Sequence, residues 1–398
     1  MNYAVPITNN IYWIGVNDRE TCLFEALWPL PEGVSYNAYI IVDEKVALID
    51  TVKVNASQSY LEKVKRVMGN RDHIDYLIIN HMEPDHSGAI QALIHQYPDI
   101  RIVGNRKTMG FLEGFYGITD NLKVIGDGDV LDLGSRKLKF FLTPMVHWPE
   151  TMMTYDEKDR VLFSGDAFGG FGTLNGGIFD DEVNISFYED EIRRYFSNIV
   201  GKYSQSVLRA IDKLRGLDIG MVASTHGPIW RTHPEKIIDR YRRWSNHETE
   251  PGVVIVFGSM YGNTEKMADK IARILSEEGI SCIRVFNASK THPSYIVNDI
   301  WRYKGLILGS CTYNMGLFPP MDHLVRTLEN KAMRNRVLGI FGSYSWSGGG
   351  VKALTEFARR GNWPLLEPVI EAQYAPKPAD IEQCIRLAKN MAEAIQAS

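Results

Sequence analysis

The segment His81-Met82-Glu83-Pro84-Asp85-His86 decides the reading of this chain. It places four side chains of metal-ligand type within six residues, directly after the apolar run Tyr76 to Asn80 and before a helix expected to begin near Ser87. On a tight loop with a proline in its middle, such side chains can reach two sides of one small cavity. Three more residues of the same chemistry follow later apolar runs: His147 after 140–146, Asp166 after 161–165, and His226 after 219–225. A lone histidine at a strand end is more often a hydrogen-bonded core residue than a ligand. Four within one hexapeptide, with three more obeying the same strand-end rule, reverse that preference.

Seven ligands are too many for one tetrahedral zinc and suit two ions that share a carboxylate. Asp166 is the candidate bridge. Imidazoles and carboxylates without thiolate accommodate iron or manganese as well as zinc, and open positions on such ions can take a diatomic gas. The negative charge of Glu83 and Asp166 favours a ferric state, hence redox work over hydrolysis. Asp50, after Val46 to Ile49, reads as a hydrogen-bond partner of the ligand loop rather than a ligand. His73, His95, His233, His247, His292 and His323 stand away from any carboxylate cluster and are expected at the surface.

The runs that lead into these ligands are short, β-branched and bounded by turn residues, which favours buried strands whose ends converge on one rim. The polar stretch 239–252, ending in Pro251-Gly252, breaks the pattern and marks a boundary between an N-terminal domain over 1–248 and a C-terminal domain over 249–398. Beyond it strand and helix alternate: strands at 253–257, 283–286, 305–308 and 337–341, helices at 264–278, near 323–328, at 350–360 and at 379–395. Alternation of this kind implies a parallel sheet covered on both faces. Met267, Ala268, Ile271, Ala272 and Leu275 fall at helical spacing on one face of the first helix.

In the second domain the junction between first strand and first helix reads Ser259-Met260-Tyr261-Gly262-Asn263-Thr264. Small and hydroxyl residues there let backbone N–H groups and hydroxyls surround a phosphate at the positive end of a helix. The loop has no lysine and is no Walker loop, and no GxGxxG follows a strand. Two further loops belong at the same edge: one with Ser310, Thr312, Tyr313, Asn314 and Gly316, the other with Ser343, Tyr344, Ser345, Trp346 and Gly348. In an open parallel sheet, ligands bind beyond the carboxyl ends of the strands. Tyr313, Tyr344 and Trp346 can flank a flat ring system.

The bulk of the sequence narrows the field. With 398 residues and 44% hydrophobic content, the chain can bury more than one core. A net charge of −4 without basic runs offers nothing to nucleic acid or an anionic membrane. The start of the chain lacks a basic segment followed by an apolar core, and no apolar run approaches the roughly 20 residues that span a bilayer, so a cytoplasmic, soluble protein is expected. The four cysteines, Cys22, Cys282, Cys311 and Cys384, form no CxxC pair, which argues against a rubredoxin-like appendage or an iron–sulfur cluster.

Over essentially its whole length the chain resembles the flavodiiron proteins, in which a metallo-β-lactamase-like domain precedes a flavodoxin-like domain. The resemblance rests on the string His81-x-Glu83-x-Asp85-His86 with His147, Asp166 and His226, and on the loop SMYGNT at 259–264. The glutamate, where hydrolases of this fold carry a histidine, is the distinguishing feature. The resemblance implies two non-haem irons, one held by His81, Glu83 and His147, the other by Asp85, His86 and His226, with Asp166 between them. It also implies FMN and a head-to-tail dimer, with a tetramer as a further possibility, in which Trp346 stands near the junction of flavin and iron. Tyr195 resembles a tyrosine that faces bound substrate, and Phe24-Glu25-Ala26 stands where many members carry a histidine. The implied activity is reduction of dioxygen to water or of nitric oxide to nitrous oxide. Electrons would come from a separate donor, rubredoxin or a reduced deazaflavin coenzyme. A di-zinc hydrolase joined to a flavodoxin-like module, and a pure electron carrier, are the competing readings.

Overall fold

The computed structural model describes residues 3–397, and the chain divides into two compact units, Met1–Ser245 and Asn246–Ser398. The first unit is built on two sheets. One has seven strands in the order Val5–Pro6, Ile11–Trp13, Tyr39–Val42, Val46–Ile49, Tyr76–Ile78, Arg101–Gly104, Leu122–Val124. The other has five, in the order Val130–Asp132, Lys137–Leu142, Met152–Asp156, Val161–Gly165, Met221–Ser224.

Alternate residues of the two sheets interlock in one core: Tyr39, Ile41, Ala47, Ile49, Ile78 and Val103 meet Leu138, Phe140, Met152, Val161, Phe163 and Ala223. The residues between them, such as Ile40, Leu48 and Leu77, are also fully buried. Both faces of the sheet are therefore covered, which is why these strands read as unbroken apolar runs rather than as alternation. Helices such as Ser57–Met68 supply the outer cover, burying Tyr60, Val64 and Met68 at helical spacing. This is the metallo-β-lactamase-like arrangement expected from the sequence.

The second unit is a parallel sheet with strand order, numbered within the unit, 2-1-3-4-5: Ile283–Asn287, Glu250–Gly258, Tyr303–Tyr313, Val337–Tyr344 and Ile370–Gln373. It is the doubly wound flavodoxin-like sheet. Helices Asn263–Glu277 and Pro378–Gln396 cover one face, packing Met267, Ile271, Leu387 and Met391 on Val253, Ile255 and Ile307. The fifth strand, Ile370–Gln373, and the helix Pro293–Arg302 go beyond the elements expected. Ile370-Glu371-Ala372-Gln373 is an edge strand too short and too polar for its pattern to stand out. The third and fourth strands run past their expected ends, so Ser310 to Tyr313 and Gly342 to Tyr344 extend the sheet rather than form loops.

Among the described residues, no helix is long and apolar enough to cross a membrane.

Candidate metal centre and flavin site

The six-residue segment is positioned by the strand before it and the helical turn inside it. Tyr76–Ile78 leads into His81, and Pro84–Ser87 forms one helical turn that projects Asp85 and His86. Proline at the first position of that turn has no N–H to leave unpaired. Asp50, held at φ 55°, aims its carboxylate back at the loop: Oδ1 accepts from the backbone N–H of Asn80 at 2.7 Å and of His81 at 3.4 Å. Thr51 bonds the His86 carbonyl through both its backbone N–H and its hydroxyl. Asp50 thus supports the ligand loop.

All seven side chains meet at the ends of the strands. The potential ligand atoms of His81, Glu83, His147 and Asp166 lie within 4.8 Å of one another, and so do those of Asp85, His86 and His226. Asp166 faces both groups. Its Oδ2 stands 3.1 Å from His147 Nε2 and 3.5 Å from His81 Nε2; its Oδ1 stands 3.0 Å from His86 Nε2 and 3.7 Å from His226 Nε2. Glu83 Oε2 closes the first group, 3.1 Å from His81 Nε2 and 3.0 Å from His147 Nε2.

The hydrogen bonds on the far sides of the rings fix which nitrogen points inward. His226 Nδ1 lies 2.8 Å from the Ser35 carbonyl, an acceptor only, so Nδ1 carries the proton and Nε2 presents its lone pair to the cavity. His81 Nδ1 lies 2.8 Å from Glu150 Oε1, which also accepts the Met82 N–H at 2.8 Å. Asn37 steadies the His226 loop by donating to the carbonyls of Ser224 and Gly227 while accepting from Trp13 Nε1.

The protein alone leaves this cluster electrostatically unfinished. Burial pushes Asp85 up to about 7, aided by the Glu83 and Asp166 carboxylates and opposed by His86. Burial works against Glu83 too, but hydrogen bonds from His147 and His81 hold it well below the usual carboxylate range. Burial and the neighbouring His86 push His226 down to about 4, the neutral form that ligation requires. Both oxygens of Asp85, both ring nitrogens of His86 and Nε2 of His226 are buried without a hydrogen-bond partner. Buried polar atoms seldom lack partners, and so many converging on one point fit a pair of cations. Hard oxygen and imidazole donors fit iron.

A cavity of about 810 Å³ opens onto Glu83 and Asp85, and Glu25, Tyr36 and Tyr116 line it. Tyr195 closes the helix Ser186–Tyr195 beside His226, ring centroids 5.4 Å apart, with Phe24 and Phe171 packed edge-on. Its hydroxyl is buried and has no partner. Glu25, on a turn at φ 51°, accepts from Trp28 Nε1 at 3.0 Å. Although the residue as a whole is exposed, shelter of its carboxyl and the facing Glu83 push it up to about 7.

In the second unit, Ser259, Met260, Tyr261, Asn263, Thr264, Thr312, Ser343, Tyr344 and Ser345 line one depression at the carboxyl ends of the strands, together with Cys311 and Tyr374. Gly262, at φ 85°, lets the chain turn into the helix and donates its N–H to Ser259 Oγ at 3.0 Å. Thr264 and Ser343 hydroxyls meet at 2.9 Å across the floor. Seven predicted residues do not themselves line it. Gly262 turns the chain beneath it, and Ser310 sits inside the sheet, donating to the Cys311 carbonyl and accepting the Phe318 N–H. Tyr313, Asn314, Gly316, Trp346 and Gly348 lie outside the lining, with Trp346 86% exposed.

Sequence reasoning missed Glu150, Ser35, Asn37 and Tyr374, and did not single out Cys311 within the 310–316 segment it assigned to the flavin. Glu150 carried a weak signal, a carboxylate three residues after His147; Ser35, Asn37 and Tyr374 had none. The expectation of a surface His247 is corrected: it is buried, its ring 5.3 Å from that of Trp301 and its carbonyl bonded by Arg336.

Comparison with known proteins agrees with the two-domain architecture. The ODP family beta lactamase model matches residues 34–227 and the flavodoxin model residues 255–387. The anaerobic nitric oxide reductase flavorubredoxin of Escherichia coli is 34% identical over 387 residues, 96% of this chain and 80% of that protein. The rubredoxin oxygen:oxidoreductase of the anaerobe Desulfovibrio gigas superposes with a TM-score of 0.95 at 30% identity, covering 99% of each chain. A flavo di-iron protein variant from Thermotoga maritima gives a TM-score of 0.90 at 29% identity, covering 98% of each. FMN and two non-haem irons are therefore the cofactors of this oxidoreductase, and the chain belongs to the flavodiiron protein family.

Proposed function

We propose that the protein reduces dioxygen to water, nitric oxide to nitrous oxide, or both, at irons held by His81, Glu83 and His147 on one side and Asp85, His86 and His226 on the other. One observation carries the proposal: the two oxygens of Asp166 face the two ligand groups, His147 at 3.1 Å and His86 at 3.0 Å. A hydrolase needs a polarised water; a shared carboxylate between imidazole- and carboxylate-rich positions suits electron exchange with a gas. When bound, the irons supply open coordination positions and electrons for the gas, and FMN supplies the electrons that replace them.

The chain's own residues do the rest. Tyr195 holds an unpartnered O–H beside His226, where it can donate to a substrate oxygen. Its pKa, raised well above 10 by burial and by Asp166, keeps that proton in place. Phe24 and Phe171, edge-on to Tyr195, exclude bulk water from that side. Glu25 and Tyr36 line the cavity by which gas and protons reach Glu83 and Asp85. In the second unit, the 259–264 turn would hold the FMN phosphate and Tyr344 would flank its ring, with the exposed Trp346 near the junction of flavin and iron in the dimer.

The electron donor is rubredoxin or a reduced deazaflavin coenzyme, and the working assembly a head-to-tail homodimer or a tetramer built from two such dimers. The names of the Escherichia coli and Desulfovibrio gigas relatives support the gases and the rubredoxin donor. Chemically reduced protein, given each gas anaerobically in turn, is expected to consume at least one. A preparation with full iron and FMN that consumes neither gas defeats the proposal.

A further inference from the structure

The two metal positions are not equivalent in what stands behind them. His81 is backed by Glu150, a carboxylate with no solvent exposure, at 2.8 Å. The same oxygen, Oε1, accepts the Met82 N–H, and the other, Oε2, is buried without a hydrogen-bond partner. Among the described residues no Lys or Arg forms an ion pair with Glu150, so its charge is balanced by nothing nearer than His81. In the other group, His226 is backed by the neutral Ser35 carbonyl at 2.8 Å, and His86 Nδ1 has no partner.

We propose that Glu150 is a positioning residue that makes the two metal positions unequal: it renders the iron beside His81, Glu83 and His147 the harder to reduce. The proposal rests on the di-iron reading above. A carboxylate behind an imidazole N–H increases the donor strength of the opposite nitrogen, and a buried negative charge stabilises the more oxidised cation. Both effects act on the His81 side. Glu83 and Asp85 give each side one carboxylate, Asp166 is shared, and the buried Asp50 lies near both His86 and His81, so Glu150, in direct contact with His81 alone of the six histidine and carboxylate ligands flanking Asp166, is the charge that breaks the balance. Electrons arriving one at a time therefore settle first beside Asp85, His86 and His226. Asn105 Nδ2 donates to the Glu150 carbonyl at 2.5 Å and helps hold the segment in place.

The test is a potentiometric titration of the iron- and FMN-loaded protein, followed by low-temperature EPR and by Mössbauer spectroscopy with enriched iron. The wild type is expected to reduce in two separated one-electron steps, with a strong half-reduced EPR signal between them. Glu150→Gln keeps an oxygen able to accept from His81 and Met82 and removes only the charge. It is expected to retain two irons, move the harder step to higher potential, leave the easier step nearly in place, and lower the maximum half-reduced signal. Glu150→Asp, which keeps the charge, is expected to preserve the separation. A fully iron-loaded wild type that reduces in a single two-electron step overturns the inference and leaves the di-iron reading intact; so does a Glu150→Gln protein whose two steps are unchanged or shift together. A wild type that holds no iron overturns both.

Discussion

Asp166 Oδ1 lies 3.0 Å from His86 Nε2, yet the pair is not aligned as a hydrogen bond, and that nitrogen has no hydrogen-bond partner. Two atoms this close, neither bonded to the other, are arranged to share a third. Asp166→Ala is therefore expected to lower iron affinity at both positions, by more than the roughly 10- to 100-fold that loss of an outer partner costs. FMN content should be unchanged. Metal analysis against flavin absorbance checks this, and two irons retained per chain remove Asp166 from the bridge.

Asn37 accepts from the Trp13 indole N–H and donates to the carbonyls of Ser224 and Gly227; the Ser224 carbonyl also accepts from the Tyr39 hydroxyl at 2.7 Å. Replacing it with Ala leaves the Trp13 indole N–H and the Gly227 carbonyl buried and unpaired, at about 1–3 kcal/mol for each group that water cannot reach. Asn37→Ala is expected to lower the thermal midpoint of the first unit by several degrees and to loosen iron beside His226 before iron beside His81. Calorimetry and stepwise chelation follow both effects.

Thr264 and Ser343 present adjoining hydroxyls on the floor of the flavin depression, and Thr264 is fully buried. Thr264→Val preserves shape and removes the hydroxyl. If that hydroxyl donates to the phosphate, its loss costs about 1.5–3 kcal/mol, roughly 10- to 100-fold in Kd. Flavin fluorescence on dilution reads this directly, and an unchanged Kd places the phosphate elsewhere.

Burial, with Arg336 and Arg334 nearby, pushes His247 from 6.5 down to about 4. The unfolded chain takes up a proton near 6.5 that the folded unit refuses until about 4. Stability from this group is therefore fully present above pH 6.5 and is lost as pH falls toward 4. At 1.36 kcal/mol per pH unit the loss is no more than about 3 kcal/mol, and partial solvent access reduces it. His247→Gln should flatten the profile in that window. Urea unfolding of the full chain, followed by flavin release from pH 7 to 4, makes the comparison.

Local order was enough to reveal much of this protein. The spacing His81-x-Glu83-x-Asp85-His86 concentrates ligand chemistry in one turn. The runs before His147, Asp166 and His226 announce strands, because a sheet covered on both faces needs apolar residues at every position. The SMYGNT turn was equally legible as the junction of strand and helix, since Gly262, at φ 85°, takes the chain straight into the helix Asn263–Glu277. Tertiary structure alone decided the rest. Glu150, Ser35 and Asn37 reach the centre across sequence separations of 69, 191 and 187 residues, as partners of His81, His226 and Ser224. His247 looked like surface until Arg336 and Trp301 enclosed it, and Ser310 looked like loop until the third strand was seen to run through it. A sequence states which side chains can donate, accept or ligate; only packing brings them within three ångströms and removes the water that would otherwise satisfy them.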